Sequence, residues 1–246
     1  MKKFAVLALV GCASLAMSSM AVAQSQRFLQ QRSSNNGNQS EIESELRYQA
    51  AEEARASLMQ DPQAMRTNWD TARRFAKCAN SLNRDRSERL LKQDMPSLNE
   101  PRLDLDKYIA RMSNCAPTNI SIDPAFMRGA LAENIMVDET AAPDIPQAGD
   151  SAKLTAFISA IAISGDKTGN FAKTQMAAEC RTAINPIAVR GLLATEAGSE
   201  LEKGAFAALN AATSTCDQLK PADDMPLYFQ RAYLAQALYH WTNFEG

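Results

Sequence analysis

Residues 69–91 read WDTARRFAKCANSLNRDRSERLL, and residues 171–193 read FAKTQMAAECRTAINPIAVRGLL. The two stretches share a frame. Trp69 stands nine residues before Cys78, and Phe171 stands nine before Cys180. A leucine pair, Leu90-Leu91 or Leu192-Leu193, follows each cysteine at +12 and +13. Further out, Cys115 lies 37 residues beyond Cys78 and Cys216 lies 36 beyond Cys180. Phe126-x-Arg128-x-x-Leu131-Ala132 returns as Phe229-x-Arg231-x-x-Leu234-Ala235. The offsets are 102 for the first cysteines, 101 for the second and 103 for the arginines. The chain therefore reads as one cysteine-stapled unit written twice. A period near 100 residues is far above the solenoid range of about 20–50, so the pattern is a duplicated small domain.

The periodicity within each unit is helical. Trp69, Ala72, Phe75, Ala76 and Ala79 form one stripe, and Arg66, Asp70, Arg73, Arg74 and Lys77 form the opposite face. Residues 86–93 give a short helix with the leucine pair, and Leu103 to Met112 a third, with Pro101 suited to its first turn. Pro124 opens a fourth that runs through Ile135. The second unit repeats the order, with helices predicted over 152–163, 171–183, 188–195, 199–216 and from Pro226 through Trp241. In the fourth of these, Leu201, Phe206 and Leu209 mark the register. No run of β-branched residues alternates with period two. The expected fold is all-α: a helical unit over 41–136, an acidic linker over 137–149 with Pro143 and Pro146, and a second unit over 150–246. The units are expected to pack on each other. A repeated arginine near the start of an apolar helix is expected to bond carboxylates or carbonyls at a neighbouring helix end.

Residues 1–23 have the form of a secretory signal: Lys2 and Lys3, an apolar run from Phe4 to Met20, and Ala21-Val22-Ala23 before Gln24. A second reading takes Leu9-Val10-Gly11-Cys12 as a lipoprotein box that would lipidate Cys12. Residues 24–40, rich in Gln, Ser and Asn, are expected to be a disordered tether. Ser40 and Glu43 then stand in capping-box register at the start of a helix bearing Ile42, Leu46 and Ala50. Cleavage after Ala23 leaves 24 basic against 28 acidic side chains, a net charge of −4. That balance argues against a nucleic-acid binder. Cleavage also leaves four cysteines, which allow three pairings. The repeat selects Cys78–Cys115 and Cys180–Cys216, each closing a loop worth about 4 kcal/mol in chain entropy. Paired cysteines place the mature chain in the periplasm or outside the cell. No stretch of the mature chain is long and apolar enough to span a bilayer.

The arrangement resembles a group of uncharacterised secreted helical proteins of Gram-negative bacteria. They carry a repeated cysteine, a leucine pair, a second cysteine and Arg-x-x-Leu-Ala. Here the carriers are Cys78, Leu90, Leu91, Cys115, Arg128, Leu131 and Ala132, then Cys180, Leu192, Leu193, Cys216, Arg231, Leu234 and Ala235, within residues 65–241. The resemblance implies no activity, and the charged 66–92 segment departs from it.

Candidate chemistry is sparse. His240 is the single histidine, so any Ser-His or Cys-His catalyst must use it. There is no serine elbow beside it and no Cys-x-x-Cys for a metal or redox site. Gly165 to Gly169 lacks the Lys-Ser/Thr of a phosphate loop and reads as a turn. The pairs Asp104/Asp106 and Asp223/Asp224 and the early cluster Glu41, Glu43, Glu45, Glu52 and Glu53 could serve acid–base work on glycans. Asn119-Ile120-Ser121 is a chance sequon. Residues 66–92 hold eight basic side chains and three acidic ones, a stripe suited to an anionic partner. The last helix is aromatic, with Tyr228, Phe229, Tyr233, Tyr239 and Trp241. Arg128, Arg231, Phe229 and Tyr233 are the candidate binding residues. The leading expectation is an exported, envelope-associated binding or structural protein, without cofactor, metal or catalysis, acting on an envelope component or protein. The alternative is a periplasmic hydrolase of envelope polymers that uses paired carboxylates.

Overall fold

The computed structural model describes residues 49–50, 53–92, 103–116, 121–137, 151–163, 169–221 and 225–245. The expected signal with Cys12, the expected tether, the Ser40 cap, Asn119 and Ile120 of the sequon, and linker residues 138–149 lie outside them. Residues Glu53–Gly246 form one compact unit. The other unit, Met1–Glu52, contributes only Gln49 and Ala50 to the described residues, both helical.

Among the described residues there is no strand. Helical residues 53–60 (α1) precede α2, Pro62–Leu91. Then come α3, Leu103–Arg111, and α4, Pro124–Val137. The second half has α5, Ser151–Ile163, α6, Asn170–Ile184, α7, Pro186–Leu193, and α8, Glu200–Ala212. A 3₁₀ turn over Ser214–Leu219 leads to α9, Leu227–Asn243.

Local chemistry sets the breaks between these helices. The Asp61 side chain caps α2 by accepting from the amides of Gln63 and Ala64, with Pro62 in the first turn, where a missing N–H costs nothing. Asn83 interrupts α2 with φ −160° and ψ 82°, and its side chain accepts from the Arg86 amide. Asn185 separates α6 from α7 with φ −142° and ψ 69°, and accepts from the Ala188 amide. The two asparagines are 102 residues apart. Each ends one helix and caps the next, a device worth about 1 kcal/mol per cap. The helix expected over 199–216 is shorter than its periodicity suggests. Thr213 leaves helical geometry at φ −126°, ψ 34°, with its hydroxyl donating to the Leu209 carbonyl, and the chain tightens into the 3₁₀ turn that carries Cys216. Leu201, expected on the inner face, is 76% exposed, whereas Phe206 and Leu209 are buried.

The disulfides are Cys78–Cys115 and Cys180–Cys216. The first ties α2 to the turn after α3, and the second ties α6 to the turn after α8. At the centre lie α4 and α9, both buried nearly all round. A helix covered on every side must be apolar on every side, and both are, apart from the polar groups described below. Helix α2 packs on α4, α6 and α7 pack on α9, and α4 packs on α9. The resulting core is continuous through both halves, from Trp69, Phe75 and Leu91 through Phe126 and Leu131 to Leu192, Phe229 and Leu234. Both leucine pairs are buried. A smaller cluster joins Phe157 of α5 to Ala183 and Trp241.

Aromatic contacts recur at the sequence offsets. Trp69 meets Phe126 edge-on at 5.6 Å, and Phe171 meets Phe229 at 5.8 Å. The two phenylalanines then touch each other at 4.5 Å. Beside them, Gly129 lies against Ala232 so closely that a β-carbon on Gly129 would sit 2.5 Å from the Ala232 α-carbon.

Candidate functional site

Arg128 and Arg231 flank the α4–α9 crossing. Arg128 donates to the Leu90 carbonyl at 2.9 Å and to the Leu91 carbonyl at 3.3 Å. Arg231 donates to the Leu193 carbonyl at 2.6 Å and to the Thr195 carbonyl at 3.0 Å. Each guanidinium thus satisfies carbonyls that the end of its own leucine-pair helix leaves without partners. Each also reaches across the crossing, Arg128 to the Gln236 side-chain oxygen at 3.2 Å and Arg231 to Glu133 at 2.6 Å. Glu133 and Gln236 are themselves 103 residues apart, so the cross-contacts are reciprocal, as at a two-fold dimer interface.

The Arg231 side gathers charge. Arg231 is fully buried and holds a second carboxylate, Glu202, at 2.7 Å. Glu202 also accepts from the Gly198 amide, while its own amide donates to the Ser199 hydroxyl in the helix cap. Burial pushes the Glu133 carboxyl above the usual carboxylate range, against the pull of Arg231 and Arg73. Burial also opposes the Arg231 charge, but the Glu133 and Glu202 carboxylates hold its pKa above the ordinary value. Trp69 lies under the guanidinium at 5.9 Å.

Above this network, α2 and α4 form an open groove of about 500 Å³. Thr67, Asp70, Arg73, Arg74 and Lys77 line it from α2, and Glu133, Asn134 and Val137 from α4. The two helices are also joined by the Asn80 amide, which donates to the Asn134 side chain at 2.7 Å. Arg73 reaches Glu133 at 3.5 Å, and Arg66 stands 4.0 Å from Asp70. Arg74 donates to the Thr71 hydroxyl at 3.3 Å. Among the described residues, neither Arg74 nor Lys77 is in an ion pair, and both are exposed.

The candidates named from the sequence are therefore dispersed. Arg128, Arg231, Phe229 and Tyr233 are all in the interior, where the arginines hold helix ends and the aromatics fill the core. Tyr239 and Trp241 are buried as well. His240 is partly buried, its Nε2 3.2 Å from the Leu91 carbonyl and its Nδ1 3.6 Å from Glu179. The side chains of Asp104, Asp106, Asp223 and Asp224, the early glutamates up to Glu52, and residues 164–168 lie outside the described residues; Glu53 is exposed. Among the described residues, no group of three or more His, Cys, Asp or Glu side chains could hold a metal, and no helix is long and apolar enough to cross a membrane. Periodicity alone missed Glu133, Glu202 and Gln236 as arginine partners. The usable signals were the 103-residue spacing of Glu133 and Gln236 and the Ser199-x-x-Glu202 capping pattern.

No family model, curated protein or solved structure matches the chain.

Proposed function

We propose that the chain is an exported, envelope-associated binding protein without catalysis. In this reading it is built from a tandem duplication whose first unit carries the binding face. The carrying observation is an asymmetry between positions that are otherwise matched. Residues 66–92 hold eight basic side chains, and none of the eight positions 102 residues further on is basic. The residues that build the frame recur in both units: the cysteines, the leucine pairs, the asparagine breaks and the arginine caps. The frame of α6 and α7 stands without those cations, so packing does not demand them in α2. A charge that the fold does not need, three of whose side chains (Arg73, Arg74 and Lys77) line one groove, is what a surface for an anionic partner requires. The leader-like amino end and the paired cysteines support export.

Expression of the full-length chain in a Gram-negative host, followed by osmotic shock and intact-mass analysis, tests the compartment. The released protein is expected to begin at Gln24, to carry no lipid, and to give the two within-half bridges in unreduced peptide maps. A mass beginning at acylated Cys12 replaces the free-protein reading with a lipid-anchored one. Reduced cysteines in the cytoplasm overturn export altogether.

A further inference from the structure

We propose that the groove between α2 and α4 binds a phosphoryl group, held by Arg74 and Lys77 with Arg73 beside them. The proposal deepens the binding reading above and rests on it.

The argument is one of charge and shape. Five charged side chains line the groove: Asp70, Arg73, Arg74, Lys77 and Glu133. Glu133 is engaged from below by Arg231 and from the side by Arg73, so its negative charge is already matched. Asp70 stands opposite Arg66 across one helical turn. Two cations, Arg74 and Lys77, then remain without a carboxylate among the described residues. They lie three residues apart on one helix, so their side chains share a face. Two uncompensated cations suit a dianion better than a single carboxylate. A guanidinium offers the planar fork that matches phosphate oxygens, and an ammonium adds a compact point charge. The Asn134 amide on the α4 wall adds a neutral polar group, whereas the Thr67 hydroxyl already donates to the Gln63 carbonyl. The second unit supplies the contrast. At the positions matching Arg74 and Lys77 it has Met176 and Glu179, and Glu179 accepts from Gln175 and lies beside His240. A buried carboxylate thus stands in the second unit where the first has an exposed ammonium.

The test uses the oxidised full-length mature protein and follows the arginine side-chain resonances by NMR while inorganic phosphate is added at constant ionic strength. Saturable shifts at Arg74 are expected, with acetate producing none at the same concentration. The variants R74Q/K77Q and R74M/K77E, the second carrying the residues of the other unit, should weaken phosphate binding at least tenfold. Their thermal midpoints should stay at the wild-type value, because both side chains are exposed. Non-saturating shifts, equal shifts with acetate, or unchanged binding in both variants would overturn the assignment. Sedimentation with phosphatidylcholine vesicles, with and without phosphatidylglycerol, then fixes the source. Co-sedimentation that needs phosphatidylglycerol and is lost in the variants makes the phosphate a lipid headgroup, and phosphate binding without co-sedimentation makes it a soluble phosphoryl compound. Failure here leaves the export reading standing, since that is decided by mass and compartment.

Discussion

Replacing Arg231 with alanine is expected to destabilise the fold by about 3–5 kcal/mol, because it strands two buried carboxylates at once. Glu133 and Glu202 are 3% and 1% exposed, and Arg231 lies between them at 2.6 and 2.7 Å. Domain stabilities run to about 5–15 kcal/mol, so the loss is a large share of the whole. Arg128 gives the comparison. It occupies the matching place and donates to two carbonyls and a neutral amide. Stranding those neutral groups alone costs about 1–3 kcal/mol. Urea denaturation of the Arg231 variant decides the matter, and a loss below about 3 kcal/mol, within the range for neutral groups, would sink the charge argument. The E133Q/R231A double variant should recover part of the loss, since it removes one of the stranded charges.

Gly129→Ala should also destabilise, although intrinsic helix propensity points the other way. In an exposed helix the change would gain about 1 kcal/mol. Here the new methyl would meet the Ala232 α-carbon at 2.5 Å, its β-carbon at 2.6 Å and its carbonyl oxygen at 2.9 Å. Two of those three atoms are backbone, so α4 and α9 themselves must separate. Both helices are pinned nearby, α4 through Arg128 to Leu90 and Leu91, and α9 through Arg231 to Leu193. Overpacking of this kind costs about 1–3 kcal/mol, and we expect a net loss in that range. Adding Ala232→Gly removes the β-carbon contact alone, so the double variant should regain only part of the stability. A neutral or stabilising Gly129→Ala in chemical denaturation would mean that the crossing has slack.

Much of this frame is legible in the repeat. Equal spacings around the cysteines and leucine pairs identify the helices, the bridges and the arginine caps, because each depends on residues at fixed separation. What stays hidden depends on the other half of the chain. Arg231 is legible as a helix-end donor, but its pairing with Glu133 joins residues 98 apart through a crossing that no local pattern records. Leu201 fits the apolar period of its helix and still faces solvent, since periodicity locates a stripe but not what covers it. The basic stripe is visible as composition. That Arg73 is drawn to Glu133 while Arg74 and Lys77 are not emerges only once α4 is placed beside α2.

The bridges also bear on the order of events. Each joins neighbours among the four bridged cysteines, the partners standing 37 and 36 positions apart. If the leader is removed with Cys12, as proposed above, a chain delivered amino end first into an oxidising space presents Cys78 and Cys115 to each other before Cys180 has arrived. The first pairing open to it is then the native one, and no later exchange is required. The crossing of α4 and α9 has the opposite character. Helix α4 is complete by Val137, yet the surface that α9 covers stays bare until Leu227 and the residues after it are delivered. Covalent closure of the first half can run early, while its burial waits for the last helix of the chain.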